Sequence, residues 1–140
     1  MTAYSIVPAT ITHASELAET MAEADRAEIW AGARLLPIQA LLSSMEASAA
    51  PKTGLADGRV IAMLGVAGTT LLSGIGVPWM LAAAEMPRHG RALLRESRAY
   101  IDDQRRNYRL LTNYVDARHH RAVRWIKWLG FAVHPAQPLG

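Results

Sequence analysis

The run Asn113–Val133 restricts the fold more than any other part of the chain. Tyr114 and Val115 favour a strand, and Asp116 can cap the helix that follows, because its side-chain oxygen can satisfy an orphan backbone donor. Ala122, Trp125, Ile126 and Leu129 recur at i, i+3, i+4 and i+7 and make one apolar face. Gly130 supplies the left-handed stop, and Phe131 turns back toward the sheet as the start of a second short strand.

The rest of the chain supplies further strands and helices. Ala3–Val7 alternates as a strand ended by Pro8. Thr12 is placed to cap a helix over His13–Ala24, with Leu17, Met21 and Ala24 inward. Asp25–Leu36 reads as helical with a break at Gly32. Pro37 suits a first helical turn, so Ile38–Ser48 follows with Leu41, Leu42 and Met45 buried. Ala49–Gly54 reads as a loop, and Asp57-Gly58 as a hairpin turn leading into the strand Arg59–Val66. After a turn at Gly68, Thr69–Ile75 and Val77–Ala83 are further strands. The second is nearly all apolar, as a strand covered on both faces would be. Pro78 must then sit at its start or at a bulge, since proline cannot donate to a ladder. Pro87 begins a long helix to Asn107, and Arg109–Tyr114 is a strand that leads into the closing unit.

Composition removes several classes. At 140 residues the chain fits one domain with a proper core. No run of 18 apolar residues occurs, so no membrane span is expected, and the N-terminus lacks the charged and apolar regions of a secretion signal. Without cysteine there is neither disulfide nor thiolate chemistry. His13, His89 and His134 are scattered with no ligand spacing, so no metal site is expected.

The net charge of +3 conceals an asymmetry. Residues 1–85 carry −4 and residues 86–140 carry +7. Arg88, Arg91, Arg95 and Arg98 share one face of the long helix, and Arg105 and Arg109 extend the line. Such a face suits the phosphates of a ligand, an acidic protein surface or a nucleic acid, or is simply solvated. Trp79 and Trp125 read as packing. Trp128 falls off the core-facing line beside Arg124 and Lys127, a composition suited to a protein interface and, more weakly, to single-stranded nucleic acid.

The segment His119-His-Arg-Ala122-Val-Arg-Trp-Ile126-Lys-Trp-Leu-Gly130-Phe131 resembles, at every spacing, the frame Asn-x-x-Ala-Ile-x-x-Tyr-x-x-x-Gly-Phe. That frame closes the GNAT superfamily of acetyl-CoA-dependent N-acetyltransferases. Glu28-Ile-Trp-Ala31, Val77-Pro-Trp-Met80 and Asn113-Tyr-Val-Asp116 further resemble GNAT-like proteins of tailed bacteriophages, related to a small internal virion protein of podoviruses. The resemblance covers nearly the whole chain. It implies an α/β fold: one GNAT-like domain over residues 1–140, with a central mixed, mostly antiparallel sheet flanked by helices.

It also implies a cofactor site for acetyl-CoA. Met80, Leu81 and Ala82 would hold the cofactor from the strand. Arg88, His89, Gly90, Arg91 and Ala92 would hold the pyrophosphate at the helix start, where orphan N–H groups and the dipole favour an anion. Three parts depart from the family's catalytic pattern. Pro87 stands where the loop has Arg or Gln, Ile126 replaces the acid Tyr, and Val77–Ala83 carries no carboxylate to deprotonate an amine. His119, at the motif's Asn, and Glu85, just past the strand, are the remaining candidates for acid–base work. The departures favour a phage-encoded GNAT-fold protein that has lost or weakened catalysis. It would be a virion-associated or assembly protein in the infected cell or the virion, binding protein through Arg91, Arg95, Arg98 and Trp128. The alternative is an active acetyl-CoA-dependent N-acetyltransferase with an unknown amine acceptor.

Overall fold

A computed structural model of the chain describes residues 1–68, 73–115 and 119–135. Strand β1 (Tyr4–Pro8) leads into helices α1 (Ile11–Thr20), α2 (Glu23–Ala33) and α3 (Pro37–Ala47). Strands β2 (Lys52–Ala56), β3 (Arg59–Gly68) and β4 (Ile75–Ala82) follow. A single 3-10 turn (Met86–Arg88), helix α4 (Gly90–Asn107), strand β5 (Leu110–Leu111) and helix α5 (His120–Trp128) complete the order. The five strands lie in sequence order, antiparallel except for the parallel β4–β5 pair. The mixed, mostly antiparallel α/β sheet is as expected. The parallel pair requires the crossover that α4 provides.

Two apolar layers sandwich the sheet. Ala14, Leu17 and Met21 of the α1 region and Leu41 of α3 pack with Val60 and Met63 on one face. Leu93, Leu94 and Ile101 of α4, with Leu129 after α5, pack with Ile61, Ala62 and Leu64 on the other. β3 is therefore the strand buried on both faces, from Val60 to Val66. β4, expected in that role, is half-buried along most of its length because β5 covers so little of its edge.

Asp57 and Gly58 form the β2–β3 turn with φ of 49° and 81°. This is the left-handed pair that a two-residue hairpin needs. Asp57 also accepts from the Ala3 amide at 2.8 Å, which ties β1 to the hairpin.

Several boundaries differ from the sequence expectation, each for a local reason. Thr10, not Thr12, caps α1, because Thr10 Oγ1 accepts the His13 amide while His13 Nδ1 accepts the Thr10 amide. Ala24 and Leu42 are exposed rather than inward. α2 runs past Gly32 and stops at Arg34, whose φ of 56° is left-handed. Part of the expected loop at Ala49–Gly54 is β2, where pairing on both sides outweighs weak strand propensity. Pro87 lies in the 3-10 turn, and α4 starts at Gly90. The strand after Gly130 does not form, and the strand expected over Arg109–Tyr114 shrinks to two residues. Of the expected strand Thr69–Ile75, residues 69–72 lie outside the described residues, as does Asp116 with its expected cap.

Pro78 sits inside β4, opposite Val66. Ala83 donates to the Ile61 carbonyl at 2.8 Å. By the alternation of an antiparallel ladder, Leu81, Trp79 and Val77 turn their amides toward β3, and Met80, Pro78 and Gly76 turn theirs away. The donor that proline lacks is thus one that β3 never uses.

The β4–β5 pair closes on Gly76. A Cβ there would lie 2.6 Å from Val66 Cγ1, 2.8 Å from Leu111 Cδ2 and 2.9 Å from Tyr108 Cγ. Gly76→Ala is expected to lower unfolding free energy by about 1–3 kcal/mol through overpacking, as read by urea denaturation. An unchanged midpoint would show that β5 can give way there.

Candidate functional site

β4 and β5 are paired only at Ile75–Leu110 and Gly76–Leu111. Beyond that point they separate, and the edge of β4 that faces away from β3 meets other partners. Asn113 Nδ2 donates to the Pro78 carbonyl at 2.7 Å. At the far end the α1–α2 junction takes the role of a strand. Met21 bridges Ala83, and Ala22 N–H donates to the Ala82 carbonyl at 2.8 Å. Asp25 Oδ2 accepts the Ala82 amide at 2.8 Å. Between these contacts, the N–H and C=O of Met80 face the gap and pair with no described residue.

Asp25 is the one buried residue of α2, 9% exposed. Its Oδ1 accepts from His119 Nε2 at 3.2 Å. The other nitrogen, Nδ1, accepts the Ala122 amide at 3.4 Å and caps α5. One run of hydrogen bonds therefore joins α5 to α2 and α2 to β4. Burial pushes the Asp25 carboxyl above its ordinary pKa, against the opposing effects of the Ala82 amide and His119. Asp25, Ala82, Ala84, Pro87, His119 and Trp125 line a cavity of about 90 Å³. That is far below the roughly 300 Å³ of a site for a drug-sized ligand.

Glu28, one turn along α2, brings a third potential ligand. Asp25, Glu28 and His119 offer atoms within 4.8 Å of one another, the one group among the described residues with a composition that could hold a cation. Asp25 and His119 are already joined to each other by a hydrogen bond.

The other expected residues are distributed as follows. Leu81 turns its amide to β3 and its side chain into the α1–α3 layer. Glu85 pairs with Arg59 at 3.2 Å, and its carboxylate accepts from His89 Nε2 at 3.3 Å. The Arg59 guanidinium holds the Glu85 carboxyl below its ordinary pKa, which makes it a poor proton acceptor. Buried His89 faces the Tyr4 hydroxyl through Nδ1 at 2.7 Å. It anchors the start of α4 to β1, so its ring is already committed.

Gly90 is buried, and a Cβ on it would lie 3.3 Å from the Trp125 indole. The space its missing side chain leaves is filled by that ring. Gly90, Arg91 and Ala92 form the first turn of α4, where no side chain caps the helix. Arg88, Arg91, Arg95 and Arg98 are exposed, and Arg98 lies 5.4 Å from the centroid of Trp128, which is 43% exposed. Arg105 and Arg109 leave that line. Arg105 donates to the Leu129 carbonyl and Arg109 to the Ser73 carbonyl.

Sequence reasoning missed Asp25. The available signal was its spacing from Ile29 at i+4, which puts a carboxylate on the inward side of a helix.

Replacing Arg59 by Met is expected to return the Glu85 pKa toward its ordinary value, read by NMR titration. The sign follows from the depressed folded-state value. The Arg59–Glu85 pair adds stability above the unfolded-state pKa and loses it as pH falls through the lower folded one. Arg59→Met should therefore weaken the acid dependence of unfolding. An unshifted Glu85 titration would show that the pair does not form in solution.

No protein-family model matches the sequence, and none of the curated proteins is similar to it by sequence. Solved structures do share its fold. One is an aminoglycoside N-acetyltransferase, AAC(6')-Iy, in complex with CoA. It has a TM-score of 0.63 at 12% identity, over 100% of this chain and 95% of that one. A second is a GNAT-family acetyltransferase from Streptococcus pneumoniae, at 0.61 and 18%, over 96% and 88%. A third, described as a transcriptional regulator from Bacillus halodurans C-125, gives 0.65 and 14%, over 99% of both chains. The described α/β architecture, a five-stranded mixed sheet flanked by helices, is that of the GNAT acetyltransferases.

Proposed function

We propose that the chain is an acetyl-CoA-dependent N-acetyltransferase acting on an amine, with residues 1–140 as one domain. The observation that carries this reading is the gap where β5 leaves β4. Among the described residues it leaves the Met80 amide and carbonyl unpaired between two occupied positions, two residues before Ala82, which lines the cavity. An extended acyl donor with amide groups can pair with Met80 as a short strand would. The orphan N–H groups of Gly90, Arg91 and Ala92, with Arg88 beside them, suit its phosphates.

The fit is partial at two points. Ala82 offers its carbonyl to Ala22 and its amide to Asp25, so neither is open. The Trp125 ring beside Gly90 keeps a phosphate from settling deeply there. The donor would therefore lie in the open groove, with only its acyl end in the cavity.

A second reading is favoured by one observation, the Arg98–Trp128 pair on the exposed basic face with Arg91 and Arg95. It is a phage-encoded, virion-associated or assembly role in the infected cell or particle, through an acidic protein surface, with nucleic acid as the weaker partner. No helix among the described residues is long and apolar enough to cross a membrane.

Calorimetric titration with acetyl-CoA separates the two readings. The first expects saturable micromolar binding. Ala92→Glu combined with Arg88→Glu should weaken it at least tenfold by setting carboxylates against the phosphates. No heat up to millimolar acetyl-CoA would sink the first reading. Trp128→Ala should leave that binding unchanged, and its loss of a co-purifying virion protein would support the second.

A further inference from the structure

A transfer to an amine needs a group to take the amine's proton, and β4 offers no carboxylate. The structure brings one in from elsewhere. Asp25 reaches from α2 to the last residue of β4, lines the cavity and touches the Ala82 amide. We propose that Asp25, supplied by α2 rather than by the sheet, is the carboxylate that takes the proton from the acceptor amine, directly or through one water. This rests on the acetyltransferase reading.

Three features of the site support the role. A carboxylate offers about four lone-pair positions, of which the Ala82 amide and His119 Nε2 occupy two. Acceptor capacity therefore remains while both oxygens are held in place. Second, burial pushes the carboxyl upward in pKa, which brings an aspartate closer to what a base working near neutral pH requires. Third, the groups facing Asp25 among the described residues are few. His119 faces it from the start of α5 and Glu28 from one turn along α2, while Ala82–Ala84 and Pro87 add no charge. His119 is then a positioning residue, since it stabilises the carboxylate through its Nε2–H.

The proton and electron count closes. The ammonium form of the acceptor gives one proton to Asp25, and the freed nitrogen lone pair attacks the thioester carbonyl. The C–N bond forms, the C–S bond breaks, and the leaving thiolate takes the second nitrogen proton. The amide keeps the third, and Asp25 returns its proton to solvent.

The test measures thiol release from acetyl-CoA by the untagged full chain. Spermidine, kanamycin, a peptide with a free α-amine and a lysine peptide serve as acceptors. Asp25→Asn preserves shape and can still accept the Ala82 amide. It should lower kcat about 100-fold or more, abolish the acidic limb of the pH–rate profile and leave acetyl-CoA affinity by calorimetry unchanged. His119→Ala removes a hydrogen bond that favours the carboxylate, so it should move that limb to higher pH.

A third or more of wild-type kcat in Asp25→Asn, with an unmoved pH profile, overturns the assignment. So does a wild type that binds acetyl-CoA but acetylates none of the four acceptors. Activity lost in EDTA and restored by a divalent cation also overturns it, since Asp25, Glu28 and His119 would then be metal ligands. Failure of the wild type to bind acetyl-CoA is a different result, because it removes the acetyltransferase reading itself.

Discussion

The divergence of β5 from β4 governs the rest of the molecule. A parallel pair of two residues leaves most of one edge of β4 without a ladder, and unpaired backbone groups away from water are costly. The chain satisfies them piecemeal. Asn113 takes the Pro78 carbonyl, and the α1–α2 junction takes the carbonyl of Ala82. A buried carboxylate takes the Ala82 amide. Each fixes the position of a distant segment against β4, so the gap acts as the joint on which α2 and α5 are set. Its tightness comes from Gly76, where no side chain larger than hydrogen fits between Val66, Leu111 and Tyr108.

Helix α2 is held in an unusual way. Other helices attach by apolar stripes, but the buried residue of α2 is Asp25, with Ile29 half-buried beside the α1–α3 core. The Arg26 guanidinium adds hydrogen bonds to the Met21 and Ala18 carbonyls, which fixes the α1–α2 corner. Burying a carboxylate is unfavourable unless it is hydrogen-bonded, and here both oxygens are used. Attachment of this kind depends on direction more than area. It suits a helix whose task is to place one group at the end of a strand.

Much of the architecture was legible in residue order because local signals agreed with the final packing. Asp57-Gly58 could make only a tight hairpin, and the apolar spacing of Ala122 to Leu129 fitted one helix face. The errors arose where tertiary context decided. β2 looks like a loop until two neighbours pair with it, and Gly32 does not break a helix that has no stronger stop before Arg34. The apolar run of β4 suggested burial on both faces. It instead lines a gap, and the doubly covered strand is β3. The site was less legible still. His119 and Glu85 were visible as ionisable groups near the right elements, but their partners were not. Asp25 lies 94 residues from His119 and 57 from Ala82, so no local spacing relates them.

That separation changes how the departures from the GNAT catalytic pattern weigh. A motif on one strand tests only whether a carboxylate is present at that strand's own positions. Proton transfer depends on where an oxygen stands relative to the acyl carbon, whichever element supplies it. In this chain a carboxylate reaches the end of β4 from α2, and an imidazole reaches it from α5. The missing strand acid therefore does not by itself make the chain inactive. The occupied Ala82 and the Trp125 ring beside Gly90 are stronger arguments against tight cofactor binding, because they act at the positions a donor would use. A fold shared at 12–18% identity with acetyltransferases does not choose between these pressures. An acyl donor paired with Met80 would run along β4 toward Ala82, the residue whose amide holds Asp25.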